Sequence, residues 1–170
     1  KEIEGNILIF RRTKNGVEKL EQTLLKNDFK AESLHGDKSQ SARQKALNSF
    51  KNGDVNILIA TDVASRGIDI EELDAVINFD LPNIPETYIH RIGRTGRAGK
   101  TGTSYSFCAA DEKSYVSSIQ KLIKKSIPVV EDHPYVLDPK AKPQVHKKKG
   151  SKHKSGRKSA ASKKNKKRWY

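Results

Sequence analysis

The chain alternates between two hydrophobic periods as far as residue 127. Ile7-Leu8-Ile9-Phe10 is a short unbroken apolar run, the pattern of a strand buried on both faces. Val17, Leu20, Leu24 and Leu25 then recur at helical spacing, and Ala31 to Leu34 predicts a second, weaker strand. Ser39 to Lys51 predicts a helix with Ala42, Ala46, Leu47 and Phe50 on one face. Ser39 or Ser41 is placed to cap its start, and Asn52-Gly53-Asp54 to end it. Val55 to Thr61 is the strongest strand, and Asp74 to Phe79 is another. Pro82 and Pro85 bracket a turn, with Pro85 suited to the first turn of a helix carrying Tyr88 and Ile89. Gly102 to Ala109 reads as a strand through Tyr105 and Phe107. Lys113 to Lys125 is amphipathic, with Tyr115, Val116, Ile119, Leu122 and Ile123 inward.

Strands alternating with helices across short connections predict an α/β fold: a parallel sheet of five or six strands sandwiched by helices. In such sheets ligands bind past the carboxyl ends of the strands. That rule directs attention to His35-Gly36-Asp37, to Thr61-Asp62 and to the loop between Phe79 and Pro85. The organisation expected is a domain over residues 1–130, a linker over 131–138 and a tail over 139–170.

Charge changes the picture at the tail. The net charge of the 170 residues is +14, but residues 1–138 hold 20 basic and 20 acidic side chains. The last 32 positions hold 14 Lys or Arg and no Asp or Glu. This segment has no apolar periodicity and too little apolar surface to offset its ordering entropy, so a disordered basic tail is expected. Its acid-free character points to a polyanion, and nucleic acid fits best. No apolar run reaches the roughly 18 residues of a membrane span, so no membrane partner is expected. The single cysteine, Cys108, excludes an intrachain disulfide and a thiolate metal cluster. A cytoplasmic setting agrees with that composition.

Three runs carry candidate chemistry. His90-Arg91-Ile92-Gly93-Arg94-Thr95-Gly96-Arg97-Ala98-Gly99 spaces arginines by three and interleaves glycines. Arg94 and Arg97 could aim planar, permanently charged forks at phosphate oxygens; a solvated basic turn is the plainer alternative. Ala60-Thr61-Asp62-Val63-Ala64-Ser65-Arg66-Gly67-Ile68-Asp69-Ile70 leaves the strongest strand at its carboxyl end. Thr61 offers a hydroxyl and an N–H to a phosphate, and Asp69 could accept from ribose hydroxyls. The alternative is a turn in which Asp62 caps a helix and Arg66 pairs locally. Leu34-His35-Gly36-Asp37-Lys38-Ser39-Gln40-Ser41-Ala42-Arg43 places a glycine and small hydroxyls before a helix start, an anion-receptive arrangement. Arg43, one turn in, could touch an RNA phosphate, whereas His35 and Asp37 fit structural roles at least as well. The chain contains no Gly-x-x-x-x-Gly-Lys-Ser/Thr phosphate loop. Nor does any strand end in paired acids suited to magnesium. A nucleoside triphosphate would find only the completing half of its site here.

Together the three runs resemble the C-terminal RecA-like lobe of DEAD-box ATP-dependent RNA helicases. The resemblance extends from about Asn6 to Ile127 and is densest over Ala60–Ile70 and Tyr88–Gly99. Phe10-Arg11-Arg12-Thr13-Lys14 and Ile127-Pro128-Val129-Val130-Glu131 are similar to the bacterial RhlE-like subgroup, as is a basic C-terminal extension. The resemblance implies an RNA-stimulated ATPase of two lobes, with the phosphate loop and most of the hold on ATP and Mg2+ in an N-terminal lobe missing from this chain. The piece alone is then expected to be inactive. Arg94 and Arg97 match the catalytic arginines that reach the γ-phosphate. Gly67 and Asp69 match the ATP-binding positions beside the ribose. Gly36, Gln40, Arg43 and Thr61 match RNA-backbone contacts. His90 and Arg91 match residues that link the lobes, and no metal ligand is expected. The implied partners are RNA, read with little sequence preference, the N-terminal lobe, and ribosomal or RNA-decay assemblies. Arg11 departs from the family, which more often has a small or hydroxyl residue there.

Overall fold

The computed structural model describes residues 3, 5–65, 70, 73–96 and 101–134. Five strands form one parallel sheet: β1 (Ile7–Phe10), β2 (Ala31–Leu34), β3 (Ile57–Ala60), β4 (Ala75–Asn78) and β5 (Thr103–Ser106). The helices between and after them are α1 (Lys14–Leu25), α2 (Gln40–Lys51), α3 (Asp62–Ser65), α4 (Pro85–Ile92) and α5 (Lys113–Ile123). A 3-10 turn, Ala110–Glu112, leads into α5. The predicted elements are all present; β1 and β2 keep their predicted bounds, and β3, β4 and β5 are shorter than the runs that predicted them.

The strand order is β2-β3-β1-β4-β5. Ile7 to Phe10 pair with Ile57 to Ala60 on one side and with Ala75 to Asn78 on the other. A central strand flanked on both sides must be apolar throughout, and all four residues of β1 are buried. Successive side chains go to opposite faces. Leu8, Phe10, Leu58, Ala60 and Val76 therefore pack with Ala46 and Phe50 of α2 and Ala64 of α3. Ile7, Ile9, Ile57, Ile59 and Ala75 pack with Val17, Leu20 and Leu24 of α1. A third cluster joins Leu81 and Tyr88 to Ile119 of α5.

Local signals set the helix ends. The Thr13 hydroxyl accepts from the Gly16 N–H at 3.1 Å to start α1. Ser39, one of the two predicted caps, accepts from the Ala42 N–H at 3.2 Å to start α2. Pro85 opens α4, where its missing N–H has no helical partner to lose.

Candidate RNA and phosphate site

The carboxyl ends of β2 and β3 bring two of the four predicted RNA-contact positions, Gly36 and Thr61, to one edge, and α2 adds Gln40 and Arg43. Gly36 follows β2 and is exposed. A side chain there would meet no atom within 4 Å, so the backbone is open to an approaching ligand. Gln40 begins α2 and its Oε1 accepts from Arg43 Nη1 at 3.2 Å. Thr61 leaves β3, where its N–H donates to the Leu34 carbonyl at 3.2 Å, tying the two loops together. Arg43 lies half-buried between them. Its Nη2 donates to the Ala64 carbonyl at 3.3 Å, while its buried Nε has no partner. A buried donor left unmade is costly.

Arg94 stands elsewhere. The structure places it near the start of β4, away from the loops that follow the strands. The Leu73 N–H donates to the Arg94 carbonyl at 3.3 Å, and the Thr95 hydroxyl donates to the Leu73 carbonyl. Leu73 and Thr95 form a parallel bridge. The reason is length. The eight residues of α4 rise about 12 Å against the direction of β4, whose four residues span about 13 Å. The helix thus carries the chain back along the sheet. The turn after it needs its glycines. Gly96 has φ +72, a conformation L side chains avoid, and a side chain at Gly102 would collide with Thr95 and the Gly96 backbone.

Arg91 joins these two places. Its side chain is 2% exposed. Nε and Nη2 grip both oxygens of Asp62 at 2.7 and 2.8 Å, and Nη1 donates to Asn78 Oδ1 at 3.0 Å and to the Asp80 carbonyl at 2.8 Å. The guanidinium also lies 4.8 Å from the Phe10 ring centroid. A buried arginine is tolerated only when its charge and donors are met this way. All of these contacts lie within the lobe. His90, beside it, is exposed. Asp62 accordingly pairs with Arg91, the partner that sequence reading of a local cap had missed. Gly67, Asp69 and Arg97 lie outside the described residues.

The loop after β1 is fixed by charge as well. Arg11 Nε lies 3.1 Å from Asp80 Oδ2, and its guanidinium covers the Phe79 ring at 4.2 Å. Arg12 reaches the Leu81 carbonyl at 3.0 Å and the Glu112 carboxylate. Glu112 is buried and also accepts the Leu81 and Ala109 N–H groups at 3.2 and 3.1 Å. Lys14 pairs with Asp37, which lowers the Asp37 pKa and raises that of Lys14, first through their hydrogen bond. Burial pushes the Cys108 thiol up, away from a reactive thiolate.

Residues 1–99 match the family described as helicase conserved C-terminal domain. The chain belongs to that family. It is 47% identical over 120 residues to the DEAD-box ATP-dependent RNA helicase CshA of Bacillus subtilis, covering 71% of this chain and 24% of the relative. A probable ATP-dependent RNA helicase, ddx17 of Dictyostelium discoideum, is 46% identical over 129 residues, covering 74% and 16%. The chain thus spans about a quarter or less of these curated relatives. Among solved structures, the Escherichia coli DEAD-box protein SrmB, bound to the regulator of ribonuclease activity A, superposes with a TM-score of 0.72 at 36% identity, covering 76% of this chain and 78% of that one. The fold is that of the RecA-like C-terminal lobe of DEAD-box RNA helicases. These relatives span bacteria and an amoeba, and support the family at large rather than the RhlE-like subgroup.

Proposed function

We propose that this lobe completes an ATP-dependent RNA helicase, an RNA-stimulated ATPase whose other half is an N-terminal ATP-binding lobe. The observation that carries the reading is the division within one lobe. Gly36, Gln40, Arg43 and Thr61 line an open edge suited to an RNA backbone, while α4 holds Arg94 at a separate rim. Contacts to phosphate and sugar position RNA without reading its bases.

The donor set fits one side of a nucleoside triphosphate. Arg94, with Arg97 three residues on, supplies fixed positive forks for the terminal phosphates. Gly67 and Asp69 are assigned to the ribose side on the family resemblance. Among the described residues no group of three or more His, Cys, Asp or Glu side chains could hold a metal ion. On the family resemblance, magnesium accompanying ATP is assigned mainly to the N-terminal lobe. ATP hydrolysis supplies the free energy; this lobe's residues grip RNA at one edge and bring positive charge to the phosphates at the other when the lobes close. His90, exposed on α4, is assigned to that closure. Arg91 serves closure by holding α4 in place, since its guanidinium is engaged within the lobe.

The basic segment 139–170 is assigned to sequence-independent RNA binding, on its 14 positive and no negative side chains. The domain is read as residues 1–130 with a linker to 138, and its setting as cytoplasmic. Among the described residues no helix is long and apolar enough to cross a membrane. Ribosomal or RNA-decay assemblies are the protein-containing partners this reading allows.

The test is substitution in a reconstituted two-lobe enzyme. Arg97→Ala should abolish RNA-stimulated turnover and leave RNA affinity intact. Unchanged turnover would remove the arginine assignment.

A further inference from the structure

We infer that the Asp62–Arg91 pair is the mechanical link through which RNA seated at the carboxyl edge sets the position of Arg94, making Asp62 a positioning residue. The inference rests on the proposed function and extends it to a residue with no role of its own in binding or chemistry.

The link is a continuous series of contacts. The RNA edge converges on α3, a helix of four residues. Thr61 precedes it directly, its carbonyl accepting from the Ser65 N–H at 3.0 Å. Arg43 braces its far turn through the Ala64 carbonyl at 3.3 Å. So short a helix has little rigidity of its own, and it moves with the groups that hold it. Its first residue, Asp62, grips Arg91 through two parallel hydrogen bonds at 2.7 and 2.8 Å. A bidentate fork fixes orientation as well as distance. Arg91 lies one helical turn before Arg94, and the Gly93 N–H still bonds back to the Ile89 carbonyl at 2.9 Å. A shift of α3 is thus passed to α4 and to the turn holding Arg94. The third corner, Asn78 and the Asp80 carbonyl, belongs to β4 and its loop, and gives the sheet as a fixed reference.

The pair is asymmetric in a way that suits this role. Arg91 is 2% exposed and the Asp62 side chain 30% exposed. Arg91 belongs to α4, whereas Asp62, partly exposed beside Thr61, lies at the edge where RNA is proposed to sit.

The test uses the chain fused behind the N-terminal lobe of the CshA helicase, with ATP hydrolysis followed as a function of RNA concentration. Asp62→Asn keeps the shape and removes the charge that holds the fork. It should lower the RNA-saturated rate at least tenfold while the half-saturating RNA concentration stays within about twofold. Arg91→Lys, which retains the charge but not the bidentate geometry, should fall between. Thr61→Ala and Arg94→Ala act as references, one raising the half-saturating RNA concentration and the other abolishing turnover. If the references behave so and Asp62→Asn, assayed well below its melting temperature, keeps the parent rate and RNA dependence, the pair is only a structural brace and the inference falls. The same holds if Asp62→Asn changes only the half-saturating RNA concentration. If the references themselves behave like the parent, the proposed function falls instead. Should Asp62→Asn not fold, Arg91→Lys decides alone by the same criteria.

Discussion

The carboxyl edge of the sheet and the rim at the start of β4 carry different halves of the proposed site, and they are built by different means. The edge is made of loops that leave strands, with an open glycine, a threonine and an arginine only partly tied down. The rim is made by a helix that doubles back, and its backbone is locked by Leu73, Thr95 and a left-handed Gly96. The open edge suits a ligand of variable sequence, whose backbone alone must fit. The locked rim suits charge that must arrive at one place. Electrostatic assistance depends on donors fixed before the reaction begins, so the rigidity falls where the chemistry requires it.

That contrast is breakable by substitution, and the largest effect is expected at the rim. In a reconstituted two-lobe enzyme, Arg94→Ala should lower RNA-stimulated hydrolysis by about a thousandfold or more, with RNA affinity retained. At the edge the pattern should invert. Arg43→Ala or Thr61→Ala should weaken RNA binding by about tenfold, the scale of one charge-assisted hydrogen bond, with most of the saturated rate kept. A titration of hydrolysis against RNA separates the two; matched effects at both places would erase the division.

Away from both places, Glu112→Ala should leave the Leu81 and Ala109 N–H groups and Arg12 without their acceptor. About 1–3 kcal/mol of stability should be lost, read as a lower melting temperature. The smallest effect belongs to Lys14 and Asp37. Their pairing lowers the Asp37 pKa, so its stabilisation is present above the ordinary carboxylate range and is lost as pH falls through the lowered folded value. The raised Lys14 pKa gives the complementary loss only as the pH rises through that raised value. Both side chains are more than half exposed, so salt screens the pair. Lys14→Met should melt with the parent at neutral pH and physiological salt.

How much of this was legible in the sequence follows from which interactions are local. The strands announced themselves because a central parallel strand must be apolar on both faces, as Ile7 to Phe10 and Ile57 to Ala60 are. Ser39 and Pro85 marked helix starts because caps act within a few residues. The edge residues Gly36 and Thr61 followed from the strand ends. The position of Arg94 did not follow, because it depends on the length of α4 against the length of β4. The partners of Asp62, Asn78 and Glu112 do not follow either, for a related reason. A charged or amide side chain in sequence looks like surface until its partner is known, and Asp62 is 29 positions from Arg91. Arg12 is 100 positions from Glu112. Arg91, between His90 and Ile92 in α4, gives no local sign that it will be buried.

The central claim is that this lobe completes a phosphate site begun by another. Its most direct measurement is ATP hydrolysis by the chain alone, by an N-terminal DEAD-box lobe alone and by the two fused, each with and without RNA. The account predicts negligible turnover from either lobe and RNA-stimulated turnover only from the fusion. Turnover by the chain alone, or a fusion that folds and binds RNA yet hydrolyses no faster than its parts, would contradict it.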